Sequence, residues 1–145
     1  VHPSTPDPAV RVVSVRGKGR AVLAARPVPA GEVIERAPVI VIPAADWDVV
    51  SATAVGRYCF CWRDRAGDTA IALGYGSLLN HSYAPNAYTR RSIRQRAMEF
   101  IALRDIAEGE EITLNYNGDP DGRAAVGFRV LAPVSRQPAR RDPAG

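Results

Sequence analysis

Apolar positions in this chain fall in short runs rather than in a sustained helical repeat. The runs "AVRVVSV", "RAVLAA", "EVIE" and "VIVI" are separated by Gly17, Gly19, the stretch Pro27 to Gly31, and Pro38. Runs rich in Val and Ile, bounded by glycine and proline, predict short β-strands with turns between them. Further on, "YCFCW" and "AIAL" flank a turn at Asp64 to Gly67, and "AMEFIAL" and "EITLNY" flank the turn "AEGE". Only "DWDVVSATAVGRY" reads as helical, with Asp46 or Asp48 placed to act as an N-cap. Many short strands with a turn every ten residues or so indicate a mostly β domain. They exclude a helix bundle and a βαβ sheet.

At 145 residues and 46% apolar content, the chain can form one compact domain with a real core. It has no run of about 18 apolar residues that would predict a membrane-spanning helix. "VHPSTPDPAV" lacks the basic segment and apolar run of a secretory signal. Residues 1–9, with three prolines, read as a loose arm, and residues 10–128 as the domain. The net charge of +4 changes that picture little. Residues 129–145 hold four arginines and one aspartate, +3 in all, so the rest of the chain carries only +1. That Pro- and Arg-rich tail reads as disordered. No basic stretch is interleaved with aromatics as a nucleic-acid platform would be, so nucleic acid is not an expected partner. Cys59 and Cys61 are too few for a disulfide framework, read as small core residues, and fit a reducing cytoplasm.

The chemistry-bearing residues are ambiguous one motif at a time. "GKGRAVLA" places Gly17 and Gly19 before a strand, which more often marks a turn than a ligand cradle. His81 and Ser82 are adjacent, so they cannot meet as base and nucleophile. Two cysteines at i, i+2 fall short of a four-ligand zinc site, so no metal is expected. In "GEEITLNY", Glu110 and Glu111 read as solvated turn charges, since strand neighbours point to opposite faces.

Taken in order, "GKGRAVLA", "GYGSLLNHSYAPNA" and "GEEITLNY" resemble the SET-domain protein lysine methyltransferases. The resemblance runs from Val10 to Asn117 and is nearest to small stand-alone SET proteins of viruses and bacteria, in which a Tyr-x-Phe strand precedes the lead-in as Tyr58-Cys59-Phe60 does here. It implies a SET-type fold: a β-clip of several small sheets with few short helices. Pro85 and Asn86 then shape a loop through which the C-terminal strand threads in a knot-like way. It implies S-adenosylmethionine as cofactor, held by Asn80 and the backbone at His81, with Gly17, Lys18, Gly19 and Arg20 near its methionine end. No aromatic follows Tyr116 until Phe128, which the resemblance offers as the cover for the adenine.

The implied reaction moves a methyl group from a sulfonium to a lysine amine of a protein or peptide substrate. Its nucleophile belongs to the substrate, which accounts for the lack of an activated Ser, Cys or His. The resemblance gives Tyr116 the catalytic position. Tyr75 and Tyr58 are candidate channel walls, with core packing the equal alternative for each. Leu114 stands where many SET enzymes carry Tyr or Phe, so the channel has room for di- or trimethylation. Small relatives can form homodimers, and that option stays open here. Two competing readings are a SET module that binds cofactor or peptide with little turnover, and a basic nucleic-acid-binding domain resting on the tail alone.

Overall fold

A computed structural model describes residues 8–62, 65–127 and 129–134. Among these residues the chain forms small sheets with little helix, as its short apolar runs require. Strands β1 (Val10–Val15) and β2 (Gly19–Ala24) form a hairpin. Strands β3 (Val33–Ile42), β4 (Cys59–Cys61), β5 (Thr69–Ala72), β7 (Ala87–Ser92) and β8 (Ala97–Ala102) make a five-stranded sheet in the order β4-β5-β3-β8-β7. The remaining pair, β6 (Asn80–His81) and β9 (Thr113–Leu114), is parallel and only two residues long.

Three elements differ from the sequence expectation. "EVIE" and "VIVI" form one strand that runs through Pro38. Residues up to Pro38 pair with β8 and those from Val39 onward pair with β5, so Pro38 sits where the strand changes partner. The missing N–H costs nothing in ladder bonds there, and the Pro38 carbonyl still accepts from Leu73 N–H at 2.9 Å. The expected helix is broken into α1 (Trp47–Ser51) flanked by 3₁₀ turns at Ala44–Asp46 and Ala54–Tyr58. Asp46 occupies the N-cap position without a side-chain cap bond. Strand β7, "AYTRRS", was masked in the sequence by its arginines, which an outer strand tolerates because one face is solvated. The turn at Asp64 lies partly outside the described residues.

The core is a single cluster that includes Val22, Trp62, Met98, Phe100, Ile106 and Ile112. Phe60 packs on Phe100 edge to face, with ring centroids 5.8 Å apart. The period-2 alternation of β4 then fixes both cysteines: with Phe60 turned to the core, Cys59 and Cys61 lie on the other face. Cys59 is partly buried and Cys61 is exposed, so the reading of both as core residues is corrected. Burial raises the Cys59 thiol pKa, and its Sγ lies 3.4 Å from the Val55 carbonyl. No helix among the described residues is long and apolar enough to cross a membrane.

Candidate active site

Three segments far apart in sequence converge beside β2. The first is the turn joining β1 to β2. Gly17 (φ 77°) and Gly19 (φ 92°) adopt the left-handed conformation, and nothing lies within 4 Å of the Cβ either would carry. Conformation rather than crowding therefore demands glycine here, and the turn leaves its backbone open to a ligand.

The second segment begins at Gly74. Glu35 reaches across from β3, and its carboxylate accepts the N–H groups of Tyr75 (3.0 Å) and Gly76 (2.8 Å). Here the glycines answer to crowding. A Cβ on Gly74 would lie 2.6 Å from the Glu35 carboxylate, and one on Gly76 would lie 2.1 Å from the Phe100 ring. Past this turn, Asn80 and His81 form β6.

The third segment, residues 109–116, first pairs with β2 and then with β6. Ile112 N–H donates to Val22 O at 2.8 Å, and Asn80 and His81 stand opposite Thr113 and Leu114. Asn86 fixes this segment from the loop after β6. Its Nδ2 donates to Glu111 O (2.8 Å) and its Oδ1 accepts from Thr113 N–H (2.9 Å), all in the buried interior. Tyr116 follows at the end. Its backbone N–H donates to His81 Nδ1 (2.9 Å), and its hydroxyl donates to Leu79 O (2.6 Å). An imidazole nitrogen that accepts must be unprotonated, and burial lowers the His81 pKa in that direction. The Tyr116 hydroxyl is pushed up to about 12, first by desolvation and then by Tyr58 and Glu111. It therefore stays a neutral phenol at ordinary pH.

Two cavities meet at this tyrosine. One, of about 290 Å³, is lined by Tyr58, Phe60, Leu114 and Tyr116 and runs along β4. The other, a cleft of about 500 Å³, is lined by Lys18, Gly19, Arg20, Asn80 and again Tyr58 and Tyr116. Four residues line both, Arg57, Tyr58, Ser77 and Tyr116, and the two tyrosines are the aromatic part of that partition. Arg20 Nη2 donates to the Tyr58 hydroxyl at 2.9 Å, which fixes that side of the partition.

The cleft fits S-adenosylmethionine on its donor set. Its size is that of a small-molecule site. An exposed glycine turn and the cations of Arg16 and Arg20 suit an amino-acid carboxylate, and Asn80, whose Nδ2 donates to Arg20 O and Glu111, offers its amide oxygen. The tyrosines at the partition offer aromatic faces to a sulfonium.

Of the residues singled out from sequence, Lys18, Gly19, Arg20, Asn80, Tyr58 and Tyr116 come together around the cleft. Gly17 shapes its turn, and His81 is buried behind it. Tyr75 lines neither cavity and is exposed at the turn that Glu35 caps, whereas Tyr58 and Leu114 line the smaller one. Phe128 lies outside the described residues. The reading of Glu111 as a solvated charge is corrected. It is buried, with its carboxylate bonded to Lys18 Nζ (2.7 Å) and Asn80 Nδ2 (2.9 Å). Glu110 holds the turn instead, accepting from Ala107 N–H and Arg104. Sequence reasoning missed Glu35, Phe100 and the role of Glu111, and the paired glycines at 74 and 76 were the one local sign that something crowds that turn.

A SET domain family model matches residues 19–117. Among curated proteins, the histone-lysine N-methyltransferase, H3 lysine-37 specific, of Schizosaccharomyces pombe is 33% identical over 100 residues, or 68% of this chain and 67% of that protein. Among solved structures, a Plasmodium falciparum protein described as a histone methyltransferase (PFL0690c) aligns with a TM-score of 0.57 at 24% identity, over 74% of this chain and 92% of its own. CpSET8 from Cryptosporidium aligns with a TM-score of 0.62 at 23% identity, over 76% of this chain and 57% of its own. At those identities the two structures speak to fold.

Proposed function

The chain belongs to the SET-domain family, and from that premise we propose how its own residues carry lysine methylation. S-adenosylmethionine occupies the larger cleft, against the Gly17 to Arg20 turn and Asn80. The lysine enters from the smaller cavity, and the two meet at the Tyr58–Tyr116 partition. A substrate peptide adds as a strand along β4, an edge strand whose residues line that cavity.

When bound, the cofactor supplies an electrophilic methyl group on a positively charged sulfur. The protein must present a neutral amine to it, and a lysine of pKa near 10.4 requires about 4–5 kcal/mol to give one up at pH 7. The apolar walls Phe60 and Leu114 lower that requirement by desolvating the ammonium. Tyr116 orients rather than deprotonates, because a phenol with its pKa pushed up to about 12 is not a base at pH 7 to 9. Its two bonds, to His81 and Leu79, hold the ring and hydroxyl in place, and alignment is a large contribution in such transfers.

The single observation that carries this reading is that Tyr116 sits between two cavities and lines both. The fission-yeast relative makes histones the first substrate to offer, beside a whole bacterial lysate. Transfer of radiolabelled methyl groups from S-adenosylmethionine to protein lysine should fall at least about tenfold in Tyr116→Phe, equivalent to about 1.4 kcal/mol of barrier. Full transfer by that variant would remove Tyr116 from the mechanism.

A further inference from the structure

The cofactor cleft has an electrostatic difficulty. Its lining carries Arg16, Lys18, Arg20 and Arg57 and no acidic residue, yet its proposed ligand bears a cationic sulfonium. Behind that wall lies Glu111, whose side chain is fully buried. Its carboxylate takes Lys18 Nζ at 2.7 Å and Asn80 Nδ2 at 2.9 Å. It also takes the backbone N–H of Val134 at 2.7 Å, while its own N–H donates to Val134 O at 3.2 Å. Lys18 is nearly buried by the same contact, with 9% of its side chain exposed.

We propose that Glu111 is a positioning residue for the cofactor: its buried carboxylate joins Lys18, Asn80 and Val134 and cancels the Lys18 charge in the wall of the cleft that receives the cationic cofactor. Each bond has a distinct consequence. The ion pair draws the Lys18 ammonium toward the wall and neutralises it where the dielectric is low and charges are felt most. The bond from Asn80 Nδ2 fixes the amide's orientation. The bond from Val134 closes the C-terminal segment onto the same carboxylate. Removing the acid while leaving the base would free a cation in the cleft. Breaking a buried pair on one side is costly for that reason.

The inference rests on the cofactor assignment above, and the experiment separates the two. Calorimetry on the full chain compares S-adenosylmethionine with S-adenosylhomocysteine, which lacks the methyl group and the sulfonium charge. Glu111→Gln should weaken binding of the cation about tenfold more than binding of the neutral product. Lys18→Met, which leaves Glu111 unneutralised, should shift the ratio of the two dissociation constants the opposite way. The double variant should return the ratio to within about twofold of wild type. Should Glu111→Gln fail to fold, the Lys18→Met shift carries the test. A ratio that stays constant in all folded variants, both ligands weakening in parallel, overturns the charge role and leaves the cofactor site standing. Wild-type protein that binds neither ligand overturns the cofactor site and this inference with it.

Discussion

Asn86 offers a quantitative test of how the site is held. Its side chain is 2% exposed and makes one bond in each direction, from Nδ2 to Glu111 O and to Oδ1 from Thr113 N–H. Both partner residues are 1% exposed, so water cannot readily replace the amide. Asn86→Ala orphans a carbonyl and an N–H at about 1–3 kcal/mol each, for a total loss of about 2–6 kcal/mol. A domain of this size has about 5–15 kcal/mol in hand, so the variant folds weakly or not at all. Asn86→Asp separates the two bonds. It keeps an acceptor for Thr113 but loses the donor to Glu111 O, unless the new carboxyl takes a proton and donates through its hydroxyl. Its folded pKa is then raised above the unfolded value near 3.9, so its stability is fully present below that value and is lost as pH rises through the folded pKa. Urea unfolding followed by tryptophan fluorescence, to which Trp62, 1% exposed when folded, and the less buried Trp47 both contribute, measures both variants against wild type. Asn86→Asp should cost clearly less at pH 4 than at pH 7. An Asn86→Ala loss below about 1 kcal/mol, or an aspartate deficit independent of pH, would refute the accounting.

Other consequences follow from single contacts. Gly76→Ala drives a Cβ to 2.1 Å from the fully buried Phe100 ring and should lower the melting temperature by about 10 °C, from about 3 kcal/mol of overpacking; an unchanged melt in scanning calorimetry would show that the ring moves aside freely. His81 has its folded pKa lowered below the ordinary 6.5, so the stability it contributes is complete above that value and is lost as pH falls through the folded pKa. The stability gap between wild type and His81→Gln should therefore narrow from pH 7.5 to 5, and a constant gap would remove the Tyr116 N–H bond from the account. Leu114, buried in the wall of the smaller cavity, leaves room for a methylated amine, so mass spectrometry should find di- or trimethyl-lysine from wild type and a shift toward monomethyl from Leu114→Tyr. Only monomethyl product from wild type, at long times and high enzyme, would defeat that reading.

The parts of the fold legible in sequence are those whose cause is local. Turn glycines, short Val/Ile runs and the spacing of Asn80, His81 and Asn86 are visible in a line of text because each reflects its own backbone or its own strand. Pro38 misled because its tolerance depends on where two other strands end. Glu111 misled for the same kind of reason. Beside Glu110 in "GEEIT" it looks like a turn charge, and the lysine that buries it is 93 residues upstream. Glu35 and Phe100 carry no mark of their own, and only the glycines they force at 74 and 76 betray them.

The placement of buried polarity explains why these long-range contacts gather at one point. Among the described residues, the buried polar side chains are His81, Ser82, Asn86, Glu111, Thr113 and Asn115. All six lie in two segments, 81–86 and 111–115, while the rest of the core is apolar. A buried polar group must find its partner or cost about 1–3 kcal/mol, so such a network has few alternative arrangements. The β6–β9 pair is only two residues long and could not hold its register by itself. The bonds of Asn86 and Glu111 supply what the short ladder lacks. Tyr116 then inherits its position from residues 79 to 81, through the Leu79 carbonyl and the His81 ring, and Asn80 stands between those two anchors. Three consecutive residues therefore set both the tyrosine at the partition and the amide in the cleft. A slip of one residue in that register would displace both together, which is the physical reason the polar network is concentrated there.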